Sequence, residues 1–370
     1  MKRNIYLLFL VAWLLLATMQ LYSRDEKPLT LRGKITQEYR FNFIRLPDSL
    51  KIDDNRMNFF LNSDFSRKFW NNGRIGFSYE ISYHNYDEYH LYDRHDHIGI
   101  LQFKKPVKGS VKLHLSNEFR SRFSSTKSYS YYRNIFDTYL NVPITSNDRA
   151  YIGFQNWWKN YPKTSEYLTY MSNRIYSKLN IRLTPKATLG MKLEYQKHDG
   201  NLYPGSTAPT LQYELDGNRF VVQTTVDQIF HSHLFASFTY RYENDLPGEI
   251  ENRLTGERVN DESSEDLLAE DSDFGYLKNQ GSMSVVFKVT PRISMMAFYL
   301  VYSKKFKFWY LEEDGPRRSD RLIFISHLLK MKMTDKLAFE IHYIFEDNHT
   351  NLKFYEYKMN SISAGLSIEY

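Results

Sequence analysis

The last ten residues read "SISAGLSIEY", Ser361 to Tyr370. Ile362, Ala364, Leu366, Ile368 and Tyr370 alternate with Ser361, Ser363, Gly365, Ser367 and Glu369. Alternate residues of a β-strand lie on opposite faces of its sheet, so this segment is a strand with one apolar face and one small, polar face. Chain ends usually fray. A strand whose pattern holds to the final residue has to be paired on both sides.

The same period of two recurs upstream. "GKITQEYRFNF" sets Ile35, Tyr39, Phe41 and Phe43 against Lys34, Thr36, Glu38, Arg40 and Asn42. "RIGFSYEISYH" sets Ile75, Phe77, Tyr79, Ile81 and Tyr83 against Gly76, Ser78, Glu80, Ser82 and His84. "SVKLHLSNEFRSR" and "NRIYSKLNIRL" repeat the scheme, as do Leu234 to Glu243 and Leu337 to Phe345. Segments of about 10 residues match a tilted strand that crosses a hydrocarbon layer, whereas strands of soluble sandwiches are nearer 5 or 6.

Sixteen such segments are counted, with 14 and 18 left open because parity is ambiguous near 97–103, 130–142 and 211–226. The connections alternate between two kinds. Short ones occupy 71–74, 105–109, 145–148, 184–187, 227–232, 290–293 and 334–336. Generally longer, polar ones occupy 45–54, 85–96, 123–130, 159–166, 199–210, 244–280, 312–320 and 346–351. This alternation predicts an all-β fold, a transmembrane up-and-down antiparallel β-barrel with tight turns at one rim and long loops at the other. An even strand number returns both chain ends to the tight-turn rim. In lipid every backbone N–H and C=O needs an internal partner, so the sheet has to close and the last strand pairs with the first.

Composition agrees. The 370 residues include 30 Tyr and 26 Phe, yet a quarter are charged. Such a mixture suits side chains that sit between lipid and water. Lys2 and Arg3 precede the apolar run Ile5 to Leu21, after which the sequence turns polar, the pattern of a secretory signal peptide over 1–23. The barrel then takes 24–370 as a single domain. An uncleaved anchor is the alternative, since 17 apolar residues reach the lower limit for a spanning helix. The absence of cysteine excludes disulfides, thiolate metal sites and an acylated cysteine anchor.

The ending resembles the C-terminal assembly signal of Gram-negative outer-membrane β-barrel proteins, with Ser363, Gly365, Ile368 and the terminal aromatic Tyr370 in its pattern. The resemblance implies a bacterial outer-membrane location, with lipid and lipopolysaccharide as surroundings. It also implies handling by periplasmic chaperones and the barrel-assembly machinery.

In a barrel the polar parity faces the lumen. The basic side chains there include Lys112, Arg120, Arg122, Arg174, Lys178, Arg182, Lys192 and Arg241; the acids include Glu38, Asp64, Glu80, Glu118, Glu194, Glu243 and Glu340. A wet lumen of mixed sign with a basic lean favours anions in a pore, or its charges pair along the wall and stiffen it. The stretch 244–278 holds eleven acids and three bases in a chain of net charge +6, and either folds into the barrel mouth or stays a solvated loop. "HLSN", His114 to Asn117, is similar to the His-x-Ser-Asn of outer-membrane phospholipase A. Here Glu118 replaces the following Gly, His114 and Ser116 point to the lumen, and 16 strands exceed that family's barrel. Three histidines in "HLYDRHDH", His90 to His97, read as solvated rather than as metal ligands. No catalytic site, metal or cofactor is expected, and no nucleic-acid partner. The expected function is an outer-membrane pore for small polar solutes, with a surface-interaction protein of closed lumen (adhesin, receptor or assembly factor) as the alternative.

Overall fold

The computed structural model describes residues 29–41, 53–69, 72–125, 130–160, 169–201, 217–247, 275–307, 317–351, 353 and 356–369. The expected signal peptide, most of the acidic stretch and Tyr370 lie outside these described residues.

Sixteen strands follow one another: β1 (Leu29–Phe41), β2 (Asp54–Phe69), β3 (Gly73–Tyr86), β4 (Arg94–Lys108), β5 (Val111–Ser124), β6 (Tyr131–Pro143), β7 (Arg149–Asn160) and β8 (Thr169–Thr184), then β9 (Ala187–Asn201), β10 (Gly217–His231), β11 (Leu234–Pro247), β12 (Tyr276–Lys288), β13 (Ile293–Phe306), β14 (Ser319–Lys332), β15 (Leu337–Thr350) and β16 (Tyr357–Glu369). Each pairs antiparallel with its neighbours in sequence, and β16 pairs with β1, so the sheet is a closed barrel. At 12 to 16 residues the strands are long enough to cross a membrane with residues to spare at the loop rim.

The alternation of connections holds, with shifted limits. Strand pairing replaces much of the loop expected at 85–96, because His95 and Asp96 already pair with β5. The loop expected at 346–351 begins only at Asn351, since Glu346 to Thr350 pair with β14. The turn expected at 227–232 is also mostly strand, and the chain reverses at Ser232–His233 beside a bulge. A second bulge lies between Pro106 and Lys108, where proline's missing N–H costs no ladder bond.

The seam depends on Gly365. It stands opposite Thr36, and a Cβ there would lie 2.2 Å from the Ile35 carbonyl oxygen and 2.4 Å from the Thr36 methyl. On the inner side the Ser361 hydroxyl donates to Glu38 across the same seam at 2.5 Å. Gly153 serves a similar purpose within the wall, since a Cβ would meet the Tyr176 ring that covers it at 2.4 Å.

The outer surface is apolar. Ile362, Leu366 and Ile368 are 51%, 49% and 53% exposed, and the same parity exposes Ile35, Leu61, Ile152, Ile175 and Phe238. From mid-height toward the loop rim the outer face carries polar side chains in cross-strand pairs. Tyr195 donates to Asn218 at 2.6 Å, Tyr240 to Asn279 at 2.8 Å and Tyr343 to Asn360 at 3.0 Å. Tyr79 with His97 and Tyr299 with His327 are joined at 2.6 and 2.8 Å, and Asn117–Asn134 and Asn156–Asn173 form amide pairs. Seven of the eight loop-joined hairpins thus carry one such pair. A polar group facing hydrocarbon is costly unless it is hydrogen-bonded, and cross-strand pairing meets that need within the protein.

Replacing Gly365 by Val should lower the yield of folded barrel, by about 1–3 kcal/mol of overpacking at the seam. The check is the fraction of heat-modifiable, fast-migrating protein on cold SDS gels; a yield equal to the native chain's would refute the tight seam.

Candidate functional site: the lumen wall

The inward parity carries two zones. Near the loop rim, charged side chains are buried in a belt that runs around the inside of the barrel. Glu38 is its best-defined centre: Arg40 Nε lies 2.6 Å from Oε1, Arg56 Nη2 lies 2.5 Å from Oε2, and Asn58 donates to Oε2 at 3.0 Å. Asp96 takes Arg122 Nε at 2.8 Å, with Arg120 and Arg94 at 3.6 and 3.8 Å. Glu194 holds Arg174 and Lys192 at 3.1 and 2.6 Å, Glu243 holds Arg241 at 2.6 Å, and Arg318 forks onto Asp320 at 2.9 and 2.6 Å. Tyr357 donates to Glu346.

Aromatic faces join the carboxylates in holding the cations of this belt. Tyr131 lies under Arg122 at 4.9 Å and Lys159 at 4.5 Å; Tyr276 lies under Lys304 at 3.9 Å and Arg219 at 5.3 Å. Both rings are 1% exposed. A desolvated cation over a ring face gains about 2 kcal/mol, so these rings add to the stabilisation that the carboxylates supply.

The lumen holds two cavities, one among the loop-side ion pairs and one running from mid-height toward the turn rim. One, of about 420 Å³, is lined by β1–β5 with β15 and β16 and includes Lys34, Glu38, Glu80, His84, Arg94 and Asp96. The other, of about 440 Å³, is lined by β6–β10 and includes Asp137, Arg174, Tyr176, Lys178, Lys192 and Asp227. Between them, β13–β15 turn Phe298, Leu300, Phe324, Leu328 and Ile344 inward, with Leu300 directly opposite Phe324.

All the lumen residues read from the sequence face inward, but they do different things. Arg120, Arg122, Arg174, Lys192, Glu194 and Arg241 belong to the buried belt. Glu118 pairs with Arg133 at 2.7 Å, and Glu80 lines the first cavity. Lys178 lines the second and lies 5.9 Å over the Tyr151 ring. Lys112 is exposed near the turn rim. Arg182 is exposed at that rim and donates to the carbonyls of Thr184 and Pro185 at 3.3 and 3.1 Å, so it braces a turn. Asp96, Arg94, Arg133, Arg219 and His198 were not singled out by the sequence. They lie on the strands of ambiguous parity or beside them, where inward Ile98, Ile100, Ile135 and Val221 interrupt the polar alternation.

His114 stacks on Tyr139 at 4.4 Å, and neither of its ring nitrogens has a hydrogen-bond partner, so it does not contact Ser116 as a base would. His95 and His97 face outward against Phe123, while His90 leans on Asp93 at 3.3 Å. Among the described residues no three His, Asp or Glu side chains gather into a metal site.

No family model and no curated protein sequence matches the chain. Solved structures do. Acinetobacter baumannii OccAB3 superposes with a TM-score of 0.53 at 6% identity, covering 92% of this chain and 99% of that one. Pseudomonas aeruginosa OpdL gives 0.52 at 8% identity, covering 93% and 99%. CdiB from Acinetobacter baumannii gives 0.51 at 11% identity, covering 94% of this chain and 61% of that one. OccAB3 and OpdL are Gram-negative outer-membrane barrels of 16 strands, and this chain shares their fold. At such identities the likeness is one of architecture alone.

Two predictions follow from the ion pairs. Glu38→Gln leaves Arg40 and Arg56 buried without a carboxylate and should cost about 3–5 kcal/mol, read as a lower urea midpoint for the folded barrel. In the turn after β6, Asp148 accepts the Arg182 N–H at 2.9 Å and the Thr145 hydroxyl at 2.8 Å, which holds its carboxyl below the usual aspartate range. A depressed folded pKa stabilises above the unfolded value of about 3.9 and loses that effect as pH falls through the folded value. The stability gap between the native chain and Asp148→Asn should therefore close below that range, in urea titrations at stepped pH.

Proposed function

We propose that the chain is an outer-membrane pore that passes small polar solutes by passive diffusion. The observation that carries this reading is the pair of charge-lined cavities inside the barrel, one among the loop-side ion pairs and one from mid-height toward the turns. The apolar outer face and the 16-strand architecture support a place in the bacterial outer membrane, with the long loops outside the cell and the turns in the periplasm. Lipid and lipopolysaccharide are its surroundings, and the barrel-assembly machinery and chaperones its partners in biogenesis. Export by the signal peptide of 1–23 belongs to the same reading. Solutes diffuse along walls whose charges are paired, so selectivity is set by the cations outside the pairs. Lys178 is the clearest of these, since it lies in the second cavity on a ring face.

One observation favours a second reading, a surface-interaction protein with a closed lumen. The loop-side belt is so fully buried that Arg219, Asp245, His198 and Glu346 are at 0% exposure. Purified protein in a planar bilayer separates the two. Discrete, stable conductance steps support the pore, and Lys178→Glu should then lower the anion-to-cation permeability ratio. A silent bilayer with a folded barrel would overturn the pore and leave the surface role.

A further inference from the structure

The outer face of the barrel is uneven in charge, and the unevenness lies at the loop rim of β13–β16. There Lys305, Arg321, His349 and Lys358 point outward on four adjacent strands. Arg321 stands opposite His349, and Lys305 is one step diagonal to it across the β13–β14 ladder. On β15 and β16 the charges are matched: Asp347 takes His349 and Lys358 at 3.2 and 3.4 Å, and Glu356 takes the other nitrogen of His349 at 3.2 Å. Lys305 and Arg321 are exposed and make no ion pair among the described residues. Elsewhere among the described outward positions near this rim, Lys197 of β9 is the lone Lys or Arg.

These two cations stand above an apolar strip of the outer face. On the turn side of them the same strands turn outward an exposed Val301 and half-buried Ile323, Ile325 and Phe345, with the Tyr299–His327 and Tyr343–Asn360 pairs on the same face. Whatever touches Lys305 and Arg321 from outside therefore has to present negative charge at its head and an apolar body below. A soluble anion lacks the second part. Arginine's fork and a neighbouring lysine suit phosphate, the arginine as a bidentate donor and the lysine as a point charge.

We propose that Lys305 and Arg321 form a docking site for the phosphorylated headgroup of an outer-leaflet lipid, its acyl chains lying along β13–β15. This rests on the outer-membrane reading above, and the test separates the two. The full chain is refolded, its insertion into vesicles is measured, and heat-modifiable migration confirms the barrel. Micelles of the folded protein are then offered bisphosphorylated lipid A or the same lipid stripped of phosphate, and retained lipid is counted by native mass spectrometry.

The expected result is at least tenfold more retention of the phosphorylated lipid. That preference should vanish in the Lys305→Ala/Arg321→Ala double variant and survive in Lys197→Ala. Equal retention of the stripped lipid would overturn the site, as would full retention by the double variant. Displacement of the lipid by millimolar inorganic phosphate would overturn it in favour of a free-anion site. A chain that folds but does not insert would overturn the membrane reading and this one together; a chain that inserts and shows no phosphate preference would overturn this one alone.

Discussion

The rest of the structure depends on the β1–β16 seam. A spanning sheet with open edges would leave a row of N–H and C=O groups in hydrocarbon, each costing several kcal/mol. Ten residue pairs from Arg32–Glu369 to Phe41–Asn360 remove that cost at the last place it could arise. The seam is asymmetric in its materials. Outside it is Ile35, Ile362 and Leu366; inside it is Thr36, Gly365 and the Ser361–Glu38 contact. Gly365, read from the sequence as part of an assembly signal, is also the residue whose missing side chain lets the first strand come close.

Glu38 links this seam to the lumen. It accepts from Ser361 of β16 and holds Arg40 of β1 and Arg56 of β2, so one carboxylate joins the closing strand to the first hairpin. From there the belt passes through Asp96, Tyr131, Glu194, Tyr276 and Asp320 around the inner wall. Buried charges are costly alone and tolerable when each has a partner. The belt meets this condition with carboxylates and with ring faces beside them, so a Tyr-rich composition serves the inside of the barrel as well as the lipid boundary. The same arrangement decides what the lumen can discriminate: paired cations present little field to a solute, and unpaired ones set selectivity.

Strand number, rim alternation and outward parity were legible because each is a property of single strands: "RIGFSYEISYH" states its two faces without reference to its neighbours. What each inward charge does was not legible, because it depends on register between strands far apart in sequence. Arg120 and Arg182 have the same residue type and parity, yet one is buried against Asp96 and the other is exposed on turn carbonyls. Height along the barrel separates them, and height follows from register. The strands that resisted reading, β4, β6 and β10, are those whose inward faces carry Ile98, Ile100, Ile135 and Val221. Period-two reasoning assumes a uniformly wet interior. Here the interior is packed near the loop rim and partly apolar along β13–β15, so apolar residues occur on both faces.

The outer polar pairs show the same economy from the lipid side. Tyr, Asn and His at mid-strand would argue against a membrane strand if read singly. As cross-strand pairs they leave few free donors to the lipid, and their recurrence in loop-joined hairpins, with none near the turns among the described residues, gives the barrel a polarity along its axis. The hydrocarbon layer then lies chiefly between these pairs and the tight turns. On β16 this interval runs from Asn360 to Ile368, eight steps that a strand rise of about 3.3 Å and a tilt of about 40° convert to roughly 20 Å. That approaches the apolar band of about 25 Å typical of outer-membrane barrels. Charged positions such as Lys305 and Arg321 fall beyond this interval on the loop side, where a headgroup rather than an acyl chain is the neighbour.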